Sequence, residues 1–246
     1  MGIIRPGGIG LTNEAIEKAG IKKGSRILEI GCGEGDTAAF LSKEWDMDVE
    51  GIDRSREMIR RADEKHPDLK LQFGEADFLE FPSLQFDAVL MECVFSLTYL
   101  KTEVFHEIYC VLKKGGKFIV TDLYNRDPDP DKVKAAMAEV AKALKTPKRE
   151  GQCEERSIPP EYMLDRVFIK EELIRGADDN GFIVELWEDK SEALHSFVAE
   201  KILEYGSLCK YFEEAVPANE PMECFCAVPE NSKNTGYFLL ILKKPE

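Results

Sequence analysis

The sequence has no apolar stretch long enough to cross a membrane and too little positive charge to favour an anionic partner. No run reaches the roughly 18 apolar residues that a membrane-spanning helix requires. Lysine and arginine number 33 against 47 aspartates and glutamates, which gives a net charge of −14. Such a chain repels phosphate backbones and anionic lipid surfaces, so we expect neither a nucleic-acid nor a membrane partner.

A secretory leader and paired cysteines are also missing. Residues 1–8 lack the apolar core of a signal peptide, so we expect a cytoplasmic protein. The seven cysteines are odd in number and scattered, and none shows the C-x-x-C spacing of a zinc ribbon or redox motif. We therefore predict free thiols in a reducing compartment and no metal site.

The composition is otherwise that of a folded globular protein, with 43% hydrophobic and 33% charged residues. Because repeats and a convincing linker are absent, we predict a single domain over residues 1–246. Strand-like and helix-like segments alternate, which predicts an α/β fold: a doubly wound, Rossmann-like, mostly parallel sheet with helices on both faces. The less regular parts predict cap segments at the N-terminus, at about 123–165 and at about 207–236.

A glycine-rich turn follows the first predicted strand, 26–30, and precedes a helix predicted from Asp36. Gly31 and Gly33 allow a sharp turn and the close approach of a ligand, since neither carries a Cβ. The dinucleotide fingerprint G-x-G-x-x-G would need glycine at position 36. An acid there also repels a pyrophosphate at the helix N-terminus, so the sequence disfavours a nicotinamide-dependent dehydrogenase.

Carboxylates follow the next two predicted strands. Asp53 comes directly after strand 47–52, where an acid can accept both hydroxyls of a ribose. Asp77 follows strand 69–73 and can accept an adenine amino group while the ring of Phe78 packs nearby. Because the carboxyl ends of parallel strands share one edge, these groups are expected to meet in the crevice where open α/β sheets bind ligands.

Together these motifs resemble the class I S-adenosylmethionine-dependent methyltransferases. The resemblance is carried by Glu29, Gly31, Gly33, Asp53, Asp77-Phe78, Phe86-Asp87 and Gly115-Gly116. It is strongest with the small-molecule branch that includes ubiquinone/menaquinone-type and arsenite methyltransferases. It covers residues 25–122 closely and the remainder loosely. It implies a seven-stranded sheet with an antiparallel last strand, S-adenosyl-L-methionine as cofactor and S-adenosyl-L-homocysteine as product.

The resemblance also implies which residues bind the cofactor. They are Glu29, Gly31, Cys32, Gly33 and Glu92 at the methionine part, Asp53, Arg54 and Met58 at the ribose, and Asp77 and Phe78 at the adenine. Residues 5–8 resemble an N-terminal loop that closes over the methionine carboxylate. Simpler interpretations stay open: Asp77 as a helix cap, Arg5 as a solvated terminal residue, and Cys32 as a small apolar filler.

The sequence says less about the methyl acceptor than about the cofactor. We find no pattern for a general base, and a thiol, selenol or metalloid acceptor needs little or none, which favours a soft small-molecule acceptor. Cysteines in the predicted caps could hold a metalloid. Their spacing differs from that of arsenite methyltransferases, so packing as small apolar residues is favoured; they are Cys153, Cys209, Cys224 and Cys226. The alternative function is a non-catalytic protein that binds the same cofactor or product.

Overall fold

The computed structural model describes residues 5–98, 100–145, 163–164, 167–215 and 234–246. The helices are α1 (Gly8–Ala19), α2 (Asp36–Trp45), α3 (Arg56–Lys65), α4 (Lys101–Val111), α5 (Pro130–Lys145), α6 (Lys170–Asp179), α7 (Ser191–Tyr205) and α8 (Leu208–Ala215), with a 3₁₀ turn at Phe95–Leu97. The strands are β1 (Arg26–Ile30), β2 (Asp48–Asp53), β3 (Lys70–Phe73), β4 (Phe86–Glu92), β5 (Leu112–Asn125), β6 (Met163–Leu164), β7 (Val167–Ile169), β8 (Ile183–Asp189) and β9 (Thr235–Lys243).

The described strands form one mixed sheet. Seven of them follow the order β3-β2-β1-β4-β5-β9-β8. Neighbours from β3 to β5 are parallel, and β9 runs antiparallel to both β5 and β8. The short strands β6 and β7 extend the sheet beside the end of β5. The predicted doubly wound fold with an antiparallel last strand is confirmed, and β6 and β7 are additions that the sequence did not predict.

Both faces of the sheet are covered because alternate side chains of each central strand enter different cores. In β4, Val89 and Met91 belong to one apolar cluster and Ala88 and Leu90 to the other. Helices α4 and α6 cover the first face, while α1, α2 and α3 cover the second. Burial on both faces explains why these strands read as unbroken apolar runs in the sequence.

Seven buried phenylalanines belong to the first core: Phe86, Phe95, Phe105, Phe118, Phe168, Phe182 and Phe238. The ring centroids of Phe95 and Phe105 are 5.1 Å apart, and those of Phe105 and Phe118 are 6.1 Å apart, both edge to face. Because Phe95 lies in the loop after β4, this cluster anchors that loop to α4 and β5.

One local prediction was wrong and one segment could not be assigned. Threonine is a common N-cap residue, so the sequence predicts a first helix that begins after Thr12, but the helix starts at Gly8, after Gly7 with a φ of 76°. No regular structure could be assigned from the sequence to residues 207–236, where helix α8 lies. It forms because Tyr211 and Phe212 bury their rings against the neighbouring helix α7, a tertiary contact that its short local pattern does not reveal.

Much of the predicted cap segments cannot be compared with the structure. Residues 146–162 and 216–233, which contain Cys153, Cys224 and Cys226, lie outside the described residues. Of the helices in the described part of the chain, none is sufficiently long and apolar to traverse a bilayer. The single-domain assignment, the caps and the cytoplasmic location stay predictions.

The aromatic core gives a direct stability test. Replacing Phe105, which is fully buried, by alanine should lower the free energy of unfolding by about 3–5 kcal/mol, since a ring-sized cavity remains. The matched control is Phe78→Ala, because the Phe78 ring is 67% exposed and its loss should change stability by about 0.5 kcal/mol or less. Urea denaturation of the ligand-free proteins measures both, and equal losses would contradict this description of the core.

Candidate functional site

A cavity of about 400 Å³ lies at the carboxyl ends of β1, β2 and β4. It has the position at which open α/β sheets bind ligands. Of the residues predicted to bind the cofactor, its lining contains Glu29, Gly31, Cys32, Gly33, Asp53, Arg54, Met58, Asp77 and Glu92. Phe78 is not among the lining residues and its ring is largely exposed, so its contact with an adenine stays a prediction.

The turn after β1 brings backbone to the cavity wall. Gly31 has a φ of 78°, and a Cβ at this position would lie 2.2 Å from Cγ2 of Val94, so only glycine fits. Cys32 packs below the turn with 5% exposure, and burial raises the pKa of its thiol far above the ordinary range. The thiol therefore stays protonated, as the filler interpretation of Cys32 requires.

Asp53 holds the two loops at this edge together. Its Oδ2 accepts the Gly33 N–H at 2.9 Å and its Oδ1 accepts the Ser55 N–H at 2.8 Å. Ser55 in turn caps α3 by accepting the Met58 N–H at 3.2 Å, as the sequence predicted. Each carboxylate oxygen of Asp53 has a second lone pair, so hydroxyl groups of a ligand can bind without breaking these contacts.

Asp36 is less repulsive towards anions than the sequence implied. Lys65 from α3 places its Nζ 2.7 Å from Asp36 Oδ1, and His66 Nε2 lies 3.1 Å from the same oxygen. Lys65 also approaches Glu34 Oε2 at 3.3 Å. The charge of Lys65 offsets the acids beside the turn, so the missing glycine at position 36 is the stronger argument against a dinucleotide.

Asp77 lines the cavity from the turn that follows β3. The turn is closed by a hydrogen bond of 3.3 Å from the Phe78 N–H to the Glu75 carbonyl. No helix forms between β3 and β4, where every residue is described, so the interpretation of Asp77 as a helix cap is wrong.

Charged side chains are buried at the other end of the cavity. Arg5 is only 8% exposed and places its Nη2 2.7 Å from Oε2 of Glu92, so it is not a solvated terminal residue. Thr12 of α1 donates from Oγ1 to Glu92 Oε1 at 2.9 Å. The α1 helix thus brings a cation to the end of β4, a contact that no local pattern in the sequence indicates.

Glu29 faces this group from the end of β1. Burial, followed by the negative charge of Glu92, raises the pKa of Glu29 to about 8, although the charge of Arg5 acts in the opposite direction. At neutral pH the ligand-free protein therefore holds Glu29 mainly protonated. A cation bound against Glu29 would favour its ionised form.

Two buried polar atoms in this group make no hydrogen bond among the described residues. One is the donor Nε of Arg5 and the other is the acceptor Oε2 of Glu29. Both residues line the cavity. Since an unsatisfied buried polar atom costs about 1–3 kcal/mol, a ligand that supplies an anion to Arg5 and a cation to Glu29 would recover that energy.

Cys93 is a cavity residue that the sequence analysis missed. It follows Glu92 with a φ of 57°, a left-handed conformation that is uncommon outside glycine. Its Sγ lies 3.0 Å from the hydroxyl of buried Tyr237, which donates to Thr121 Oγ1 at 3.0 Å. The sequence signal that could have identified Cys93 is its position directly after a strand that ends at the ligand-binding edge of the sheet.

Of the four cysteines in the predicted caps, Cys209 is exposed on α8. The other three, Cys153, Cys224 and Cys226, lie outside the described residues. Within the described ranges, no group of three or more histidine, cysteine or acidic side chains is arranged to hold a metal ion. The role of these cysteines stays a prediction.

Comparison with known proteins adds independent information. Residues 21–200 match a family model described as a methyltransferase domain. Over 136 residues the chain is 33% identical to phosphoethanolamine N-methyltransferase 3 of Arabidopsis thaliana, covering 53% of this chain and 28% of that protein. Over 210 residues it is 29% identical to the fatty-acid O-methyltransferase of Mycolicibacterium smegmatis, covering 84% of this chain and 68% of that protein.

A solved structure resembles the whole described fold. It is the Haemonchus contortus phosphoethanolamine N-methyltransferase 2 in complex with phosphomonomethylethanolamine and S-adenosylhomocysteine, with a TM-score of 0.69 and 20% identity over 99% of this chain and 54% of that chain. At this identity the likeness supports the fold alone. The chain spans only part of the length of the phosphoethanolamine methyltransferases that it matches. Because the family model covers most of the sequence, the chain belongs to the methyltransferase domain family, which confirms its predicted resemblance to the class I S-adenosylmethionine-dependent methyltransferases of small molecules.

Proposed function

We propose that this protein binds S-adenosyl-L-methionine in the cavity and transfers its methyl group to a small-molecule acceptor. The observation that carries the proposal is the pair of buried, unsatisfied atoms, Arg5 Nε and Glu29 Oε2. The methionine part of the cofactor ends in a carboxylate and an ammonium group. These are the anion and the cation that the two atoms lack, so the residues present fit the cofactor.

The remainder of the cavity supports the same orientation. Asp53 and Asp77 both line the cavity, at the ends of neighbouring strands. In this orientation Asp53 would accept the ribose hydroxyls and Asp77 would accept the adenine amino group. Arg54 and Met58 line the wall near Asp53. The cofactor would therefore extend along the sheet edge from β4 towards β3, with its sulfur near Gly31.

The bound cofactor supplies a positively charged sulfonium whose methyl group is displaced in line, leaving a neutral thioether. The protein has little covalent chemistry to perform. Its Gly31 backbone and the side chain of Val94 shape the wall beside the sulfur, while Arg5 and Glu29 fix the amino-acid end. Such positioning places the acceptor for attack and supplies most of the rate enhancement for a reaction of this type.

We further propose that the acceptor is a soft nucleophile such as a thiol or a metalloid. Among the described lining residues there is no histidine to act as a general base, and soft acceptors need little or no base. The relatives are named for phosphoethanolamine and a fatty acid, acceptors of different chemistry. They support a small molecule without identifying which one.

Two measurements test this function together. Mass spectrometry of ligands that co-purify with the protein should find S-adenosylmethionine or S-adenosylhomocysteine. Release of S-adenosylhomocysteine is then assayed against thiols, amines, quinol precursors and arsenite. Turnover with a thiol or arsenite supports the soft acceptor, whereas turnover with an amine or quinol precursor alone contradicts it. Binding without release in every assay would support the non-catalytic alternative.

Replacing Asp53 by alanine should weaken S-adenosylmethionine binding at least tenfold. The change removes charge-assisted hydrogen bonds worth about 1.5–3 kcal/mol each. Isothermal titration calorimetry measures the effect, with Asp48→Ala as the matched control because Asp48 lies at the opposite end of β2 and pairs with Lys70 at 2.6 Å. An unchanged affinity in Asp53→Ala would remove this residue from the site.

Asp77→Asn should weaken S-adenosylmethionine and S-adenosylhomocysteine equally, by about three- to tenfold. The substitution keeps the side-chain shape but offers the adenine amino group an uncharged acceptor, remote from the methyl group. Calorimetry with both ligands gives the ratio, and exposed Glu80→Gln, outside the cavity lining, is the control. A selective loss of one ligand would place Asp77 at the sulfur end instead.

Binding of S-adenosylhomocysteine should release close to one proton at pH 7. Glu29 has a pKa of about 8 in the ligand-free protein, so it is mainly protonated there and must ionise to pair with the ligand ammonium. Affinity should therefore rise between pH 6.5 and 8, by at most about tenfold per pH unit, and level off once Glu29 is ionised. Calorimetry in two buffers of different ionisation enthalpy counts the protons.

The control for this linkage is Glu29→Gln. Glutamine cannot ionise, so the variant should bind more weakly and release no proton from this position. If wild type and Glu29→Gln release the same number of protons, the ammonium contact assigned to Glu29 is wrong.

A further inference from the structure

A pair of opposite charges is buried beneath the loop that connects β4 to α4. Lys101, the first residue of α4, is fully buried, and Asp122 of β5 is 1% exposed. Neither residue lines the cavity. The loop above them does, since Val94, Leu97 and Thr98 form its wall; residues 94–98 are here called the acceptor wall.

Asp122 holds the beginning of the acceptor wall. Its Oδ2 accepts the Ser96 N–H at 2.8 Å, and its Oδ1 accepts the N–H of the following residue, Leu123, also at 2.8 Å. Burial raises the pKa of the Asp122 carboxyl, whereas the hydrogen bonds from Ser96 and Leu123 and the charge of Lys101 act in the opposite direction. The carboxyl group is thus committed to two backbone donors.

Lys101 holds the end of the same wall. Its Nζ donates to the carbonyl oxygen of Thr98, the residue that follows the 3₁₀ turn. The ammonium lies 5.9 Å from the ring centroid of Phe95 and 5.7 Å from that of Phe168. An acid near the N-terminal end of the turn and a cation at its C-terminal end both match the turn's dipole.

The acceptor wall also packs closely against the turn that follows β1. Val94 occupies the space that a side chain at Gly31 would fill. In the proposed function, a methyl acceptor would lie between this wall and the methyl group of the cofactor. A small movement of the wall would therefore misalign the acceptor, which proximity catalysis does not tolerate.

A buried charge pair is a costly way to gain stability alone. Apolar residues of similar volume often serve as well or better, because two charges must be desolvated. Here the two charges contact opposite ends of one short turn. We propose that Asp122 and Lys101 are positioning residues that fix the acceptor wall of the proposed methyltransferase. This assignment rests on the proposed function and adds the residues that set its acceptor geometry.

Three variants test the proposal: Asp122→Asn, Lys101→Met and the double variant. Asparagine at position 122 offers only one acceptor oxygen to the two backbone donors. Methionine at position 101 keeps an unbranched side chain but removes the charge. Hydrogen exchange of residues 94–98 should become at least tenfold faster in each single variant. The affinity for S-adenosylhomocysteine should fall by less than the turnover of the acceptor does, because Asp122 and Lys101 themselves do not line the cavity.

The double variant separates positioning from plain stability. The double variant removes both buried charges at once, so its thermal stability is compared with that of the single variants. Exchange at residues 94–98 should stay fast whatever the stability, and turnover of the acceptor found in the screen should be at least fivefold slower than in wild type, because a misaligned acceptor reacts slowly. Recovery of slow exchange together with stability would overturn the proposal, as would unchanged exchange in the single variants.

A matched control lies at the opposite end of β4. Asp87 is also a strand aspartate and accepts the Arg26 N–H and the Lys113 Nζ, both at 2.8 Å, but it lies away from the cavity. Asp87→Asn should leave exchange at 94–98 unchanged. A protein that fails to bind S-adenosylhomocysteine would contradict the proposed function. The exchange rates of residues 94–98 can still be measured in that case, because the exchange experiment needs no bound ligand.

Discussion

Burial of charge at the carboxyl edge of the sheet is the constraint on which the site depends. Glu29 and Glu92 end neighbouring parallel strands, so the sheet itself forces two carboxyl groups close together. Two buried carboxylates cannot both ionise at low cost without a cation. Arg5 supplies that cation from the segment that precedes α1.

Arg5 neutralises only one of these two carboxyl groups, and the other is left to interact with a ligand. Arg5 satisfies Glu92, while Glu29 keeps an acceptor without a donor and a pKa near 8. A ligand with adjacent negative and positive groups completes the arrangement. In the proposed function, the buried Glu29 carries an electrostatic cost that binding of the amino-acid end of the cofactor would relieve. In the further proposal, Asp122 and Lys101 hold the loop that an acceptor would contact.

Much of the fold and half of the site follow from local sequence. The turn at Gly31, the acid of Asp53 and the cap of Ser55 are strand–turn–helix features whose partners lie within a few residues or at the next strand end. The contacts of Arg5 with Glu92 and of Asp122 with Ser96 were not predictable in this way. They join segments far apart in the chain, and a single charged residue carries no periodic signal of its destination. The left-handed conformation of Cys93 is likewise imposed by its tertiary contacts.

We propose that Arg5 and Glu29 recognise the amino-acid end of the cofactor. A direct test compares the affinities of S-adenosylhomocysteine and 5′-methylthioadenosine, which lacks that end. Both ligands are measured with wild type and with the double variant Arg5→Ala/Glu29→Gln. Two charge-assisted contacts should give wild type a preference for S-adenosylhomocysteine of at least about a hundredfold. The double variant should lose most of that preference while binding 5′-methylthioadenosine as wild type does. A preference that survives intact in the double variant would contradict the account.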